Sequence, residues 1–404
     1  MKILLITKIY PQANCRMQHS TSVCHYFARE WVKSGHDVKV VFTYPIYSRL
    51  LHFIAIFFEK KIAKHYTALV TKERISEDKY YSLDRVDVYQ VPLYKKYPRG
   101  KYSDKTVQLI ADKIIKNNTK NDFIPNIIVG HFDYPTAGII VKLKERYSVK
   151  TALILHGKTK LLKKAYKSID QYPLNEIDLW GYRSLPIKND FENSFQVSPK
   201  GFMCPSGVSD TFLANYEEKR FSDNLKGFIY VGSLVKRKHP ITVLKALLNV
   251  YPKKDFHLEY IGEGAESSQL IKIKKKEKLE NNVTLRGLIK REEIITHLKN
   301  AECFIMISSH EAFGLVYLEA MAMGCITIAS RNEGMEGIIK HGENGFLCEA
   351  GNTEELSMLI KKINSLTSQE KDLISFNAHR TACEYTDKKI SDTYISNLEK
   401  IYKD

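Results

Sequence analysis

The chain has 404 residues, 44% of them apolar, and a formal net charge of +16; such a length suggests two to three domains with ordinary cores and excludes a disordered chain. No run of about 20 uninterrupted apolar residues occurs, and the apolar start Met1–Thr7 is too short for a signal peptide, so the expected location is the cytosol. Seven cysteines, odd in number and without a Cys-x-x-Cys pair, argue against a disulfide framework or a zinc site, while the positive charge asks for nucleic acid, anionic lipid or an anionic small molecule.

Along the first half, strand-like and helix-like segments alternate in the βαβ manner. Lys2–Thr7 reads as a strand, residues 20–34 as an amphipathic helix, and Asp37–Thr43 as the next strand after a Gly35-His36 turn. The loop after the first strand contains Arg16, Gln18 and His19 and no glycine. Residues 46–58 are apolar and aromatic and are followed by the basic run Lys60-Lys61-Ile62-Ala63-Lys64-His65. That pattern fits either a helix lying in a headgroup interface or a buried core helix with a lysine-rich end. Tyr94–Tyr102 again mixes aromatic and cationic residues.

Asn126–Gly130 reads as a buried strand that delivers His131 into a polar turn, and Lys150–Leu155 as another strand with His156 at its carboxyl end. A lone strand-end histidine is more often structural or incidental than functional. Around Pro199 to Asp210 the composition turns to loop, and 215–226 are polar, as a hinge would be. The strand Gly227–Gly232 opens a second domain. Its following loop, Ser233 to His239, places Lys236, Arg237 and Lys238 in a row before Pro240 starts a helix. A solvated turn is the plainer explanation of that charge run.

The segment from Cys303 to Gly324 carries the most chemistry. Cys303–Ile307 reads as a buried strand, Ser308 to Gly314 as a tight turn, and Gly314 to Met323 as a helix stopped by Gly324. The backbone N–H groups of Phe313, Gly314 and Leu315 then lie at a strand's carboxyl edge, at the positive end of a helix, where a phosphate would sit. Glu311 precedes that helix, and Glu319 lies about 7–8 Å along it at 1.5 Å per residue. A pyrophosphate between two such carboxylates, with a hydroxyl-bearing group at each end, describes a nucleotide sugar. Taken singly, each glutamate also fits an ordinary surface charge. Farther on, Asn344–Leu347 carries a hairpin signal.

With these residues in place, the chain resembles the retaining, nucleotide-sugar-dependent glycosyltransferases of family 4, the glycosyl transferases group 1. The resemblance rests on the paired glutamates, the "GH.V.V" opening at Gly35 to Val41, and the "H…G" and "T.HG" stretches at His131 and Thr151 to Gly157. It extends to Cys204 to Ser209, the Lys238 loop, Gly262-Glu263-Gly264, and the loop Asn332 to Gly337. It implies an α/β GT-B fold of two Rossmann-like domains facing across a cleft: residues 1–208 for the acceptor, a linker 209–226, residues 227–384 for the donor, and a final helix 385–404 packing back on the first domain. The family's paired glycines after the first strand are missing, and Ser233 stands where the family has an arginine, so Arg237 would have to replace it.

The resemblance assigns Glu311 and His156 to the sugar and Lys238 to the leaving pyrophosphate, the three catalytic candidates. Glu319 goes to the ribose, and Gly232, Ser233, Arg237, Phe313, Gly314 and Leu315 to donor binding. Arg16, Gln18, His19 and His131 fall on the acceptor side. It implies a metal-independent hexosyltransferase with no cofactor, a UDP- or GDP-sugar donor, and a glycan or lipid-linked glycan acceptor in capsule, exopolysaccharide or O-antigen synthesis. Nucleic acid is not expected as a partner, because no zinc finger, RNP-like strand or repeat occurs; a peripheral site on the inner face of the plasma membrane is. The competing readings are a nucleotide-sugar epimerase, a glycosidase or another GT-B enzyme, and an inactive lipid- or protein-binding relative. A retaining glycosidase would need its carboxylates about 5–5.5 Å apart across one bond.

Overall fold

The computed structural model describes residues 1–11, 22–66, 74, 76–96 and 101–404. Arg16, Gln18 and His19 lie outside them, as does part of the Tyr94–Tyr102 stretch. The chain divides into two compact units: the first comprises Met1–Tyr182, Asn189–Cys204 and Ser391–Asp404, and the second Arg183–Lys188 and Pro205–Ile390.

The first unit is built on strands β1 (Lys2–Thr7), β2 (Asp37–Ile46), β3 (Lys79–Leu83), β4 (Val86–Tyr94), β5 (Ile127–His131), β6 (Lys150–Leu155), β7 (Leu179–Tyr182) and β8 (Gly201–Met203). Their order in the sheet is β3-β4-β2-β1-β5-β6-β7-β8. The β3–β4 pair is antiparallel and the other described pairs are parallel, with Ile3 opposite both Val38 and Ile127. Runs such as Ile3 to Ile6 and Ile127 to Val129 are fully buried, because helices cover both faces of a parallel sheet. Helix Val23–Lys33 buries Phe27 and Trp31 on one side. Tyr394, from the last helix Asp387–Lys403, packs edge-on against both rings with centroids 5.1 and 4.9 Å away.

The second unit holds β9 (Gly227–Val231), β10 (His257–Ile261), β11 (Val283–Gly287), β12 (Cys303–Ile305), β13 (Ile326–Ser330) and β14 (Phe346–Cys348), in the order β11-β10-β9-β12-β13-β14 with every described pair parallel. Asn344-Gly345 therefore does not turn a hairpin. Phe346 to Cys348 instead pair in parallel beside Ile328 to Ser330, and buried Asn344 donates to the Ile338 carbonyl and to Thr381 Oγ1, so burial and long-range pairing override the local turn signal. The expected linker 209–226 falls within this unit, where Phe212, Phe221 and Leu225 are buried in the core.

Candidate active site

In each sheet the chain reverses its direction of growth between two neighbouring strands, and ligands of open α/β sheets bind beyond the carboxyl ends at such a point. In the second unit those strands are β9 and β12. The loop leaving β9 closes with the single turn Lys236–Lys238 and with His239 in the left-handed region at φ +50°, after which Pro240 opens helix Pro240–Val250. The loop leaving β12 is tied to it twice: Ser309 N–H donates to the Arg237 carbonyl at 2.7 Å, and His239 Nε2 lies 2.8 Å from Ser309 Oγ. Burial, reinforced by Lys236, lowers the His239 pKa from its usual value, so the ring is neutral at neutral pH.

These ties bring Lys238 and Glu311 together. Lys238 Nζ stands 3.2 Å from Glu311 Oε2, and both side chains are only 13% exposed. The ammonium also lies 3.6 Å from Met306 Sδ, and a Cβ built on Gly232 would sit 3.4 Å from Nζ. The half-exposed Arg237 approaches the same carboxylate oxygen at 3.8 Å. Glu311 Oε2 is buried and accepts no hydrogen bond of good geometry, so the pair is held by charge and leaves acceptor capacity on the carboxylate. The Glu311 N–H donates to Glu333 Oε2 at 2.8 Å.

Glu311 leads into helix Leu315–Ala322, with Gly314 as its N-cap at φ +82°. A side chain there would meet left-handed strain and the Tyr317 ring, which a Cβ would approach to 2.4 Å. Tyr317 in turn donates to the Met306 carbonyl at 2.7 Å. The loop after β13 presses directly on this turn, since a Cβ on Gly334 would lie 2.4 Å from the Phe313 carbonyl oxygen. Phe313 is buried under the Arg183 guanidinium, 5.3 Å from the ring centre. The first turn of this helix carries the positive end of its dipole, with the Tyr317 N–H donating to the Gly314 carbonyl at 3.0 Å. Lys238 and Arg237 add their charge beside Glu311, just ahead of this helix end.

Glu319 is 5% exposed and ion-paired with Arg291, the first residue of helix Arg291–Asn300. Burial raises its pKa, opposed by Arg291. Ser233 uses its carbonyl to accept from Tyr230 OH at 3.1 Å.

The corresponding point of the first unit lies between β1 and β5. His131 ends β5 and His156 follows β6. His131 Nδ1 lies 2.8 Å from His156 Nε2, and His131 Nε2 lies 3.2 Å from Tyr394 OH. The ring of Phe132, a residue at left-handed φ +67°, stacks on His156 with centroids 3.9 Å apart, and Lys8 Nζ sits 5.3 Å from the centre of the same Phe132 ring. Burial depresses the Lys8 pKa, with Asp133 pulling it up. Cys24, His131 and His156 offer atoms all within 4.8 Å of one another. Two nitrogens on one zinc at 2.0–2.1 Å stand about 3.3 Å apart; this pair is closer and hydrogen-bonded to itself, which describes a proton-sharing chain.

The structure thus brings Lys238, Arg237, Glu311, Gly314 and Leu315 together in one unit and His131 with His156 in the other. Reading by sequence missed Glu333, Arg291, Tyr394 and Lys8. Glu333 and Lys8 sit in loops that had been singled out, and so were within reach; Arg291 and Tyr394 come from helices far along the chain.

Residues 214–380 match the model of the family described as glycosyl transferases group 1. An uncharacterized glycosyltransferase of Methanocaldococcus jannaschii is 24% identical over 339 residues, 83% of this chain and 89% of that one. The amylovoran biosynthesis glycosyltransferase AmsK of Erwinia amylovora is 23% identical over 316 residues, covering 70% and 74%. Among solved structures, sucrose-phosphate synthase of Thermosynechococcus elongatus aligns with a TM-score of 0.71 at 14% identity over 100% of this chain and 99% of that one. HepE of Anabaena, in complex with UDP and glucose, aligns at 0.68 and 16% over 99% and 100%. These structural likenesses establish the fold, which is GT-B.

Proposed function

We propose that the chain is a group 1 glycosyl transferase, whose family model matches residues 214–380, and specifically a retaining hexosyltransferase that uses a nucleotide sugar to extend a glycan in surface-polysaccharide synthesis. The observation that carries this reading is the Lys238–Glu311 pair at the head of helix Leu315–Ala322. The donor pyrophosphate takes the cradle of Lys238, Arg237 and the N–H groups of Phe313, Gly314 and Leu315. Glu311, freed from Lys238 as phosphate arrives, accepts hydrogen bonds from the sugar hydroxyls. Glu319, steadied by Arg291, takes the ribose diol.

In the reaction the bond from the anomeric carbon to the phosphate oxygen breaks, and its electron pair stays on that oxygen. The cradle stabilises this growing charge, the largest electrostatic contribution available here. The acceptor hydroxyl oxygen bonds to the anomeric carbon on the same face, and its proton passes to the departing phosphate. Fixed cations supply the positive charge, so a divalent metal is dispensable. His156, held through His131, serves the sugar or the acceptor hydroxyl. The AmsK relative, by its name, acts in amylovoran synthesis, and the HepE structure contains UDP and glucose. These favour a UDP-hexose donor and a polysaccharide acceptor; we propose in addition that this acceptor is lipid-linked, at the inner face of the membrane.

The test is product formation from a panel of UDP- and GDP-sugars in EDTA, with the new anomeric centre read by NMR. One donor should be used, with its anomeric configuration kept; an inverted product would refute the same-face mechanism.

A further inference from the structure

Helix Arg49–Tyr66 presents an apolar face that no described residue of the first unit covers. Its inner side is anchored: Ala55 is 0% and His52 4% exposed, packed at Tyr47, and the Tyr47 N–H donates to His52 Nε2 at 3.1 Å. Its outer side carries Leu50 at 69%, Phe53 at 60%, Ile54 at 38% and Phe57 at 69% exposure. This i, i+3, i+4, i+7 spacing forms one stripe. Ile56 and Phe58 widen it at 53% and 48%. The patch is continuous, since the Phe53 and Phe57 rings meet edge-on at 6.0 Å and those of Phe57 and Phe58 lie 6.5 Å apart. A contiguous exposed patch of large apolar side chains marks an interaction surface.

Charge identifies the occupant. The backbone leaves helical geometry at Phe58, with φ −131°, and this break divides an apolar half from a half whose sequence holds Lys60, Lys61 and Lys64 against the single acid Glu59. The whole chain carries +16. We infer that this helix is a docking element for an anionic lipid bilayer, with Leu50, Phe53, Ile54 and Phe57 sunk to the headgroup–acyl boundary and the lysine-rich half against anionic headgroups. No described helix is long and apolar enough to cross a membrane, so the element lies along the surface. A second copy of the chain is a poorer occupant, because a self-complementary contact brings two lysine-rich segments of like charge to one interface. The inference rests on exposure and charge alone, independently of the donor reading.

The experiment is co-sedimentation of the full chain with phosphatidylcholine vesicles, with and without phosphatidylglycerol, at low and high salt. The wild type should bind only the anionic vesicles and release in high salt. Phe53→Ser with Phe57→Ser should weaken binding at least tenfold. Lys60→Gln, Lys61→Gln and Lys64→Gln together should weaken it further, at about fivefold per lysine. Both variants should keep the wild-type Tm and the wild-type donor turnover, which separates this inference from the proposed function. It is overturned by three results: no vesicle binding, binding insensitive to the phenylalanine changes, or a wild-type dimer in light scattering that those changes dissolve.

Discussion

Replacing Lys238 by methionine keeps the length of the stem and removes the charge that faces Glu311 at 3.2 Å. The gross attraction at that separation is about 5 kcal/mol for an effective dielectric of about 20. Breaking a fully buried pair by deleting one partner costs about 3–5 kcal/mol, because the other charge is left uncompensated. Here both side chains retain 13% exposure, and Arg237 remains 3.8 Å from the same oxygen. A cost of about 2–3 kcal/mol follows, a fall in Tm of roughly 4–12 °C for a domain of this size. Adding Glu311→Gln removes the stranded charge, so the double variant should recover most of that Tm. Activity should behave differently: each single change and the double lower donor turnover by about 10²–10³, since the cation and the sugar-binding carboxylate are both lost. Thermal denaturation alongside UDP- or GDP-sugar turnover reads both quantities. A Lys238→Met variant with unchanged Tm, or a double variant with wild-type turnover, would refute the reasoning.

Removing Arg291 takes away the charge that opposes burial at Glu319, so the carboxyl pKa, already raised, rises further; donor affinity of Arg291→Ala should therefore improve from pH 6 to 8 while the wild type changes less, as titration calorimetry at each pH would show. Gly334→Ala drives a methyl to 2.4 Å from the Phe313 carbonyl, and the shifted turn should weaken donor binding more than tenfold, with about 1–3 kcal/mol of stability lost; unaltered binding would mean the two loops are not coupled. Tyr394→Phe deletes the hydroxyl beside His131 Nε2, 3.2 Å away, and should lower kcat about 2–10-fold with an altered acidic limb of the pH profile and an unchanged KM for donor. His239 has a folded-state pKa below its unfolded value, so it contributes stability above about pH 6.5 that is lost as pH falls toward the folded pKa; Tm should drop less between pH 7.5 and 5.5 in His239→Gln than in the wild type.

The site was legible in sequence where chemistry and local geometry coincide. The strand, turn and helix around Glu311 depend on neighbours a few positions away, and Gly314 at φ +82° is the residue that such a turn demands. Lys238 was found for the same reason, in a loop that leaves a buried strand. What sequence could not supply were partners set by tertiary packing: Arg291 reaches Glu319 from 28 positions away, and Tyr394 reaches His131 from 263 away. The Asn344-Gly345 signal misled because a two-residue turn motif says nothing about which strand lies beside the next one, and here β13 does. For residues 46–58, periodicity left a buried and an interfacial helix open, since both are apolar; the exposure of Phe53 and Phe57 argues against the buried one.

If the Lys238–Glu311 turn binds the pyrophosphate of a nucleotide sugar, nucleotide affinity depends on the Lys238 charge. Titration calorimetry of UDP and GDP into the wild type and Lys238→Met, in EDTA, addresses it directly. One of the two nucleotides should bind the wild type, and the variant should bind it at least tenfold more weakly. Equal affinity in the two proteins, or no binding of either nucleotide to the wild type, would contradict it.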